Sequence, residues 1–219
     1  MGAMKTRDRI LDVSLALFNE EGEADKSAVD IANALDMSPG NLYYHFKGKE
    51  PIIEALFGRF EEEMTLILNA QSGTLKTVED YWVYTYIILE EIYDFRFFYR
   101  NLGELSARYP GLARRFRGVL AMKRAAIERL IVGLERRGAL SIDRRLKPHL
   151  VDQMVSTWTF WLGLDQVEGT AYSGPRLIHN TVLRFMLLLV PHLGEIGPES
   201  LASMLERHER LTRQPASVG

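Results

Sequence analysis

Cysteine is absent from the 219 residues, which removes disulfides, thiolate metal sites and cysteine nucleophiles. A disulfide-stapled scaffold, a zinc ribbon and an iron–sulfur protein are therefore excluded. A long apolar run is lacking as well. The most apolar segment, Phe185 to Val190, is six residues between Arg184 and Pro191, far below the roughly 20 that a bilayer span needs. No transmembrane helix and no membrane partner are expected. Residues 1–10 carry Lys5, Arg7, Asp8 and Arg9 and lead into an amphipathic stretch, so they do not read as a secretory leader and cytoplasmic residence is expected. Met1, Gly2 and Ala3 precede a second methionine, Met4, and carry no weight in this reading. Neither sign of charge dominates: 27 Lys and Arg face 29 Asp and Glu, and a net charge of −2 names no partner.

Chemical constellations are equally scarce. No serine lies in a Gly-x-Ser-x-Gly elbow and no glycine loop could cradle a phosphate. His149, His179, His192 and His208 stand alone, without an i,i+4 histidine or a Glu-x-x-His pair to put metal ligands on one helix face. The expectation is a protein without a catalytic site, metal or cofactor.

What the chain does have is apolar residues (47%, with aromatics at 10%) recurring at helical spacing almost throughout. Asn-Gly and Asp-Gly turns between alternating runs are missing, so the fold class is all-α. Glycine, proline and capping residues divide the chain into expected helices at about 6–20, 27–35, 38–46, 49–69, 76–94, 96–108, 110–137, 147–167, 174–192 and 198–212. The second and third are too short to stand alone and must pack on the first. This gives an N-terminal three-helix domain over 1–50, a helical bundle over 51–213, and a disordered tail at 214–219.

Residues 27–46 are where spacing acquires a function. Ser27 is a good N-cap, with Asp30 three residues on approximating a capping box. Ile31, Ala32 and Leu35 form one apolar side, and the small Ala32 allows a second helix to cross closely. Ser38 caps that second helix, Pro39 takes its first position, and Leu42 and Phe46 at i and i+4 turn inward. Pro39, Gly40, Asn41, Tyr43, Tyr44 and His45 are left outward. Two short helices in this arrangement form a helix-turn-helix, whose second member can enter a DNA major groove. Asn41 can pair with a base edge or a phosphate, Tyr43 and His45 can reach phosphates, and Lys49 adds charge at a helix N-terminus.

At these residues the sequence resembles the TetR family of bacterial transcriptional regulators. The resemblance is carried by Ile10-Leu11 and Leu17-Phe18 before Gly22, by Ile31-Ala32, and above all by Leu42-Tyr43-Tyr44-His45-Phe46-Lys47-Gly48-Lys49-Glu50. It is strong over residues 5–52 and extends to the rest by length and helical plan. It implies that Ser27, Tyr43, His45 and Lys49 hold phosphates, while Pro39, Gly40 and Asn41 face base edges. Ser38 and Tyr44 complete the expected DNA-binding set. Asp36 stands where the family commonly has a turn glycine, and aspartate tolerates a left-handed backbone better than most residues.

Charge runs against the usual pattern. Residues 1–60 hold seven positive and ten negative side chains, although nucleic-acid-binding domains are generally basic. Residues 114–147 hold eleven positive and three acidic ones. That basic stretch reads as a solvated helix face paired with neighbours such as Glu61–Glu63, or as a site for an anionic ligand group such as a carboxylate or the phosphate of an acyl-CoA. Aromatic residues crowd Tyr81 to Tyr99, and the expected pocket for a largely apolar small-molecule effector is lined by Trp82, Tyr86, Phe98, Tyr99, Trp158 and Trp161. The helices at 147–167 and 174–192 carry more than one apolar stripe. A homodimer interface is therefore expected at Met154, Trp158, Ile178, Val182, Phe185 and Leu189.

The resulting reading is a homodimeric regulator that binds a palindromic double-stranded operator and is released from it, as a repressor, by a mostly apolar small molecule. The alternative is a helical protein-interaction module that no longer binds DNA, which the acidic N-terminal domain would suit.

Overall fold

The computed structural model describes residues 6–69, 75–169, 174–194 and 197–212. The expected tail at 214–219 and residues 1–3 lie outside them. Eleven helices are present among the described residues, and no strand; Leu140 and Leu193 form an isolated antiparallel bridge.

The first helix, α1 (Thr6–Glu21), buries Ile10, Leu11, Ser14, Phe18 and Asn19 along one face. Gly22 ends it at φ +88°, a conformation that favours glycine, and its N–H closes on the Phe18 carbonyl at 3.1 Å. Helices α2 (Ala28–Ala34) and α3 (Pro39–His45) follow. The long α4 (Lys49–Asn69) buries Ile52, Ile53, Leu56, Phe57, Phe60, Met64 and Leu68 at helical spacing. It packs on α1 and on the helices Val78–Asp94 and Pro110–Arg136 of the C-terminal bundle, so one continuous helix connects both parts.

That bundle consists of α5 (Val78–Asp94), α6 (Arg96–Arg100), α7 (Leu102–Arg108), α8 (Pro110–Arg136), α9 (Lys147–Glu168), α10 (Gly174–Leu187) and α11 (Gly197–Thr212). Helix α8 packs on α4, α7 and α9, while α10 packs on α5, α9 and α11. Two expected helices differ in length. The one at 96–108 is broken at Asn101, because Phe97, Phe98 and Tyr99 are all buried in succession. Consecutive residues point in different directions around a helix, so α6 is enclosed as a plug while α7 turns away along α8. The one at 174–192 ends at Leu187 and continues as a 3-10 turn, Val190–His192, at Pro191, which has no N–H to donate to a further helical turn.

The expected dimer residues require correction. Met154, Trp158, Ile178, Val182, Phe185 and Leu189 are all buried within a single chain. Trp158 stacks on Phe185 with centroids 4.6 Å apart, so these residues hold α9 and α10 to each other and to the rest of the bundle. Two apolar stripes do exist on α9, but the buried one carries Met154, Trp158 and Leu162. The other carries Phe160 (60% exposed), Leu164 and Val167 (87% exposed), with Leu187 exposed on α10.

The expected pocket residues fall into more than one group. Trp82 and Tyr86 of α5 meet His179 of α10, Tyr86 at 4.7 Å between centroids. Phe98 lies against Phe57 at 5.2 Å and Tyr99 against Phe116 at 5.4 Å, both in the core where α4, α6 and α8 meet. Trp158 is on Phe185, and Trp161 stacks on Tyr93 at 6.4 Å. Aromatic spacing along the chain identified core residues; which neighbour fills each face is decided by helix packing.

Candidate nucleic-acid interface

Residues 27–46 fold locally through their caps. The Ser27 hydroxyl accepts from the Asp30 N–H at 3.2 Å, and the Asp30 carboxylate accepts from the Ser27 N–H at 2.8 Å and from the Ser27 hydroxyl at 2.6 Å. Hydrogen bonds from Ser27 hold the Asp30 carboxyl below its usual range. At the other end of α2 the Met37 N–H reaches the Ala32 carbonyl and the Asp36 N–H the Asn33 carbonyl. This paired closure requires a left-handed residue between them, and Asp36 supplies it at φ +52°. The chain then turns into α3, where the Ser38 hydroxyl accepts from the Asn41 N–H at 3.2 Å and Pro39 fills the first position.

Leu42 and Phe46 are buried, which fixes α3 against α2 and α1 and turns its other side to solvent. Ser38, Pro39, Gly40 and Asn41 are exposed there, as are Tyr43 (56%) and Tyr44 (78%); His45 is half-buried. Two aromatic rings this exposed on a seven-residue helix are not explained by packing. Nor is Gly40: a Cβ there would meet only the Ser38 hydroxyl oxygen, at 4.0 Å. The fold leaves room for alanine, which favours a helix by about 0.5–1 kcal/mol over glycine. The bare backbone therefore provides clearance on the outer side.

Cations flank this face. The Lys47 ammonium lies 4.5 Å from the centre of the Tyr43 ring, and the Arg7 guanidinium lies 4.2 Å from that of Phe46 while donating to the His45 carbonyl at 3.2 Å. Lys47, in the motif Phe46-Lys47-Gly48-Lys49, thus borders the exposed face of α3. Lys49 differs from expectation: its ammonium is bound by the Glu23 backbone carbonyl and the Glu23 carboxylate, both at 2.8 Å. The side chain expected at an open phosphate position is turned toward α1's end.

Glu23 is 4% exposed, and its carboxylate also meets Arg108 at 3.0 Å and the Tyr109 hydroxyl at 3.1 Å. It thus joins the start of α4 to the α7–α8 junction. Asn19, also buried, makes a second junction: it donates to the Asp94 carbonyl at 2.7 Å and accepts from the Phe97 N–H at 3.1 Å, and Arg100 donates to its carbonyl at 3.0 Å. Neither residue was singled out from the sequence, since a lone Asn and Glu at a helix end read as surface. Several of the acids pair away from the outer face of α3, with cations that also lie in residues 1–60. Asp8 and Asp12 both hold Arg59, at 2.9 and 2.7 Å, and Glu21 pairs with Lys26. In the basic stretch, Arg115 pairs with Glu61, Arg124 with Asp152 and Lys147 with Glu135.

Comparison with known proteins decides what these helices belong to. A family model described as bacterial regulatory proteins of the TetR family matches residues 10–56, and one described as bacterial transcriptional repressor matches residues 59–201. The chain belongs to the TetR family. A solved TetR-family transcriptional regulator from Marinobacter aquaeolei VT8 is 31% identical, with a TM-score of 0.83 over 95% of this chain and 99% of that one. Among curated relatives, the probable regulator YttP of Bacillus subtilis is 30% identical over 74 residues, 34% of this chain and 36% of its own length. The regulator AcrR of Shigella flexneri is 38% identical over 55 residues, 25% of this chain and 26% of its own length. The matches thus span about a third or less of these curated relatives. The all-α plan of this TetR-family chain, with a helix-turn-helix domain before a helical bundle, is that of its structural neighbours. These relatives are transcriptional regulators and not enzymes. No described helix is long and apolar enough to cross a membrane.

Proposed function

We propose that this regulator is a cytoplasmic homodimer that represses by reading a palindromic operator with α3 and is released when the C-terminal bundle binds a small, largely apolar molecule. The observation that carries the DNA assignment is the outer face of α3: Gly40 without a packing reason, beside exposed Asn41, Tyr43 and Tyr44. In this reading Pro39, Gly40 and Asn41 approach base edges, while Ser27, Ser38, Tyr43, Tyr44 and His45 contact the backbone with Lys47 beside Tyr43. Lys49 acts first as a clamp on Glu23.

Two recognition helices must meet successive major grooves about 34–36 Å apart, so the reading needs a two-fold dimer. Its interface is assigned to the exposed stripe Phe160, Leu164 and Val167 with Leu187, in place of the buried set first expected. A groove of about 420 Å³ between α9 and α10, lined by Thr157, Phe160, Trp161, Leu164 and Leu188, lies on this face. The functional division is residues 1–50 for DNA and 51–213 for effector and partner subunit. Helix α4 is the lever between them, and Asn19 and Glu23 are the joints that move α1 with α6–α8. An effector acts only through its different affinity for the two spacings of the recognition helices, which sets coupling at about 1–3 kcal/mol.

The test is selection of bound duplexes from a random pool at low salt by the purified protein. An inverted repeat with half-sites about one helical turn apart is expected. A folded dimer that enriches no sequence, with or without cell extract metabolites, overturns the assignment.

A further inference from the structure

Helix α8 presents a buried stripe of Phe116, Val119, Ala126, Ile127 and Leu130, and in its register lies Lys123, which is 0% exposed. Its ammonium donates to the Trp158 carbonyl at 3.3 Å and, weakly, to the Thr159 hydroxyl at 3.5 Å, and it sits 4.6 Å from the centre of the Tyr99 ring. No acidic side chain pairs with it among the described residues. Burial alone pushes its amine down to about 7, so near neutrality the charge is held only marginally. A buried cation without a carboxylate is costly, and nothing in the packing of α8 requires one where a leucine or methionine would fit the stripe.

Several buried polar atoms of the bundle have no partner, and one of them belongs to Tyr99, whose ring the ammonium faces. The Tyr99 hydroxyl and the Trp158 and Trp161 indole N–H groups are buried without a hydrogen bond. The Thr159 hydroxyl is already committed, donating to the Val155 carbonyl at 2.7 Å. The neighbouring acid is Glu91: burial, reinforced by Asp94, Glu63 and Glu90, pushes its carboxyl up to about 7, and it raises the Tyr99 hydroxyl in turn. Around this cluster the walls are apolar: Phe60 and Phe116 against Tyr99, and Phe185 against Trp158. One cation, an unused hydroxyl on the ring beside it and aromatic walls suit a single anionic group on an apolar body.

We propose that Lys123, with the Tyr99 hydroxyl, anchors the carboxylate of an amphipathic effector whose aryl or alkyl part lies among the bundle's aromatic residues. A phosphate dianion would need more than one cation, so a monocarboxylate is the class favoured. The assignment rests on the effector-binding reading of the bundle. It also selects, within the basic stretch of α8, the one residue that faces inward.

The test uses full-length protein at pH 7 with octanoate, decanoate, 4-phenylbutyrate and indole-3-propionate, each beside its matched primary alcohol. Thermal unfolding and tryptophan fluorescence report binding. At least one carboxylate should bind at least tenfold more tightly than its alcohol. Lys123→Met should remove that preference while its ligand-free melting temperature equals or exceeds that of the parent. Tyr99→Phe, which deletes only a hydroxyl without a partner, should weaken the carboxylate severalfold and leave the alcohol unchanged. Equal binding of acid and alcohol, undiminished carboxylate binding by Lys123→Met and Tyr99→Phe, or no response to any of the four carboxylates overturns the proposal. Operator retention is measured separately: carboxylate binding that never releases DNA sinks the effector reading and leaves Lys123 as a carboxylate site.

Discussion

Replacing Glu23 by alanine tests how the two parts of the chain are joined. Its carboxylate is 4% exposed and meets the Lys49 ammonium at 2.8 Å, the Tyr109 hydroxyl at 3.1 Å and, at 3.0 Å, the Arg108 guanidinium, whose solvent-facing side chain adds little. A hydrogen bond to a charged group contributes about 1.5–3 kcal/mol and a neutral one about 1 kcal/mol. Lys49 is 22% exposed and keeps the Glu23 backbone carbonyl at 2.8 Å, so water and that carbonyl recover part of the loss. The net cost comes to about 2 kcal/mol. At roughly 2–4 °C per kcal/mol for a chain of this size, the melting temperature should fall by about 4–8 °C. The same change leaves the Lys49 ammonium beside the helix-turn-helix without its carboxylate counter-charge. Binding to non-specific duplex should therefore strengthen at low salt, with a salt dependence steeper by about one phosphate contact. Urea unfolding and fluorescence anisotropy against a scrambled duplex measure the two effects. A variant within 0.5 kcal/mol of the parent, with an unchanged salt slope, would refute both the joint and the clamp.

Gly40→Ala should leave the melting temperature unchanged or slightly higher, because an added Cβ meets nothing closer than 4.0 Å, yet lower operator affinity in a gel-shift titration. Phe160→Glu combined with Leu164→Glu should give a folded monomer by analytical ultracentrifugation, since both side chains are exposed in the single chain. Trp158→Ala should instead cost about 3–5 kcal/mol in urea unfolding, because that ring is buried against Phe185. Glu91 ionises near 7 when folded and near its ordinary 4.5 when unfolded, so the folded state holds the extra proton and stability falls as pH rises between those values. Glu91→Gln should accordingly gain about 1–2 kcal/mol over the parent at pH 8, after allowance for partial solvent access, and nothing at pH 4. An equal effect at both pH values would remove Glu91 as the titrating group.

Much of this was legible in the sequence because it is local. Capping at Ser27 and Ser38, the left-handed Asp36 and the inward Leu42 and Phe46 follow from residue chemistry within one turn. Helix ends likewise fell where glycine, proline or a cap stands. What escaped depends on neighbours remote in sequence. Met154 and Phe160 are equally apolar on paper, and only the packing of α9 on α8 and α10 buries one and exposes the other. Glu23 reads as one acid in an acidic loop until Arg108 and Tyr109 arrive from 85 and 86 residues away. Lys123 reads as one more cation of a basic helix, and only its register with Val119 and Ala126 takes it inside. Asn101 breaks a helix because three aromatic residues before it must all be covered, a demand that periodicity alone does not reveal.

The central claim is that α3 reads bases with Asn41 and grips the backbone with Tyr43. It is tested most directly by titrating the parent, Asn41→Ala and Tyr43→Phe against the selected operator and a scrambled duplex over a range of salt. Asn41→Ala should lose about 1–3 kcal/mol on the operator and almost nothing on the scrambled duplex, whereas Tyr43→Phe should weaken both by a similar factor. Parental affinity for the operator in both variants would contradict the account.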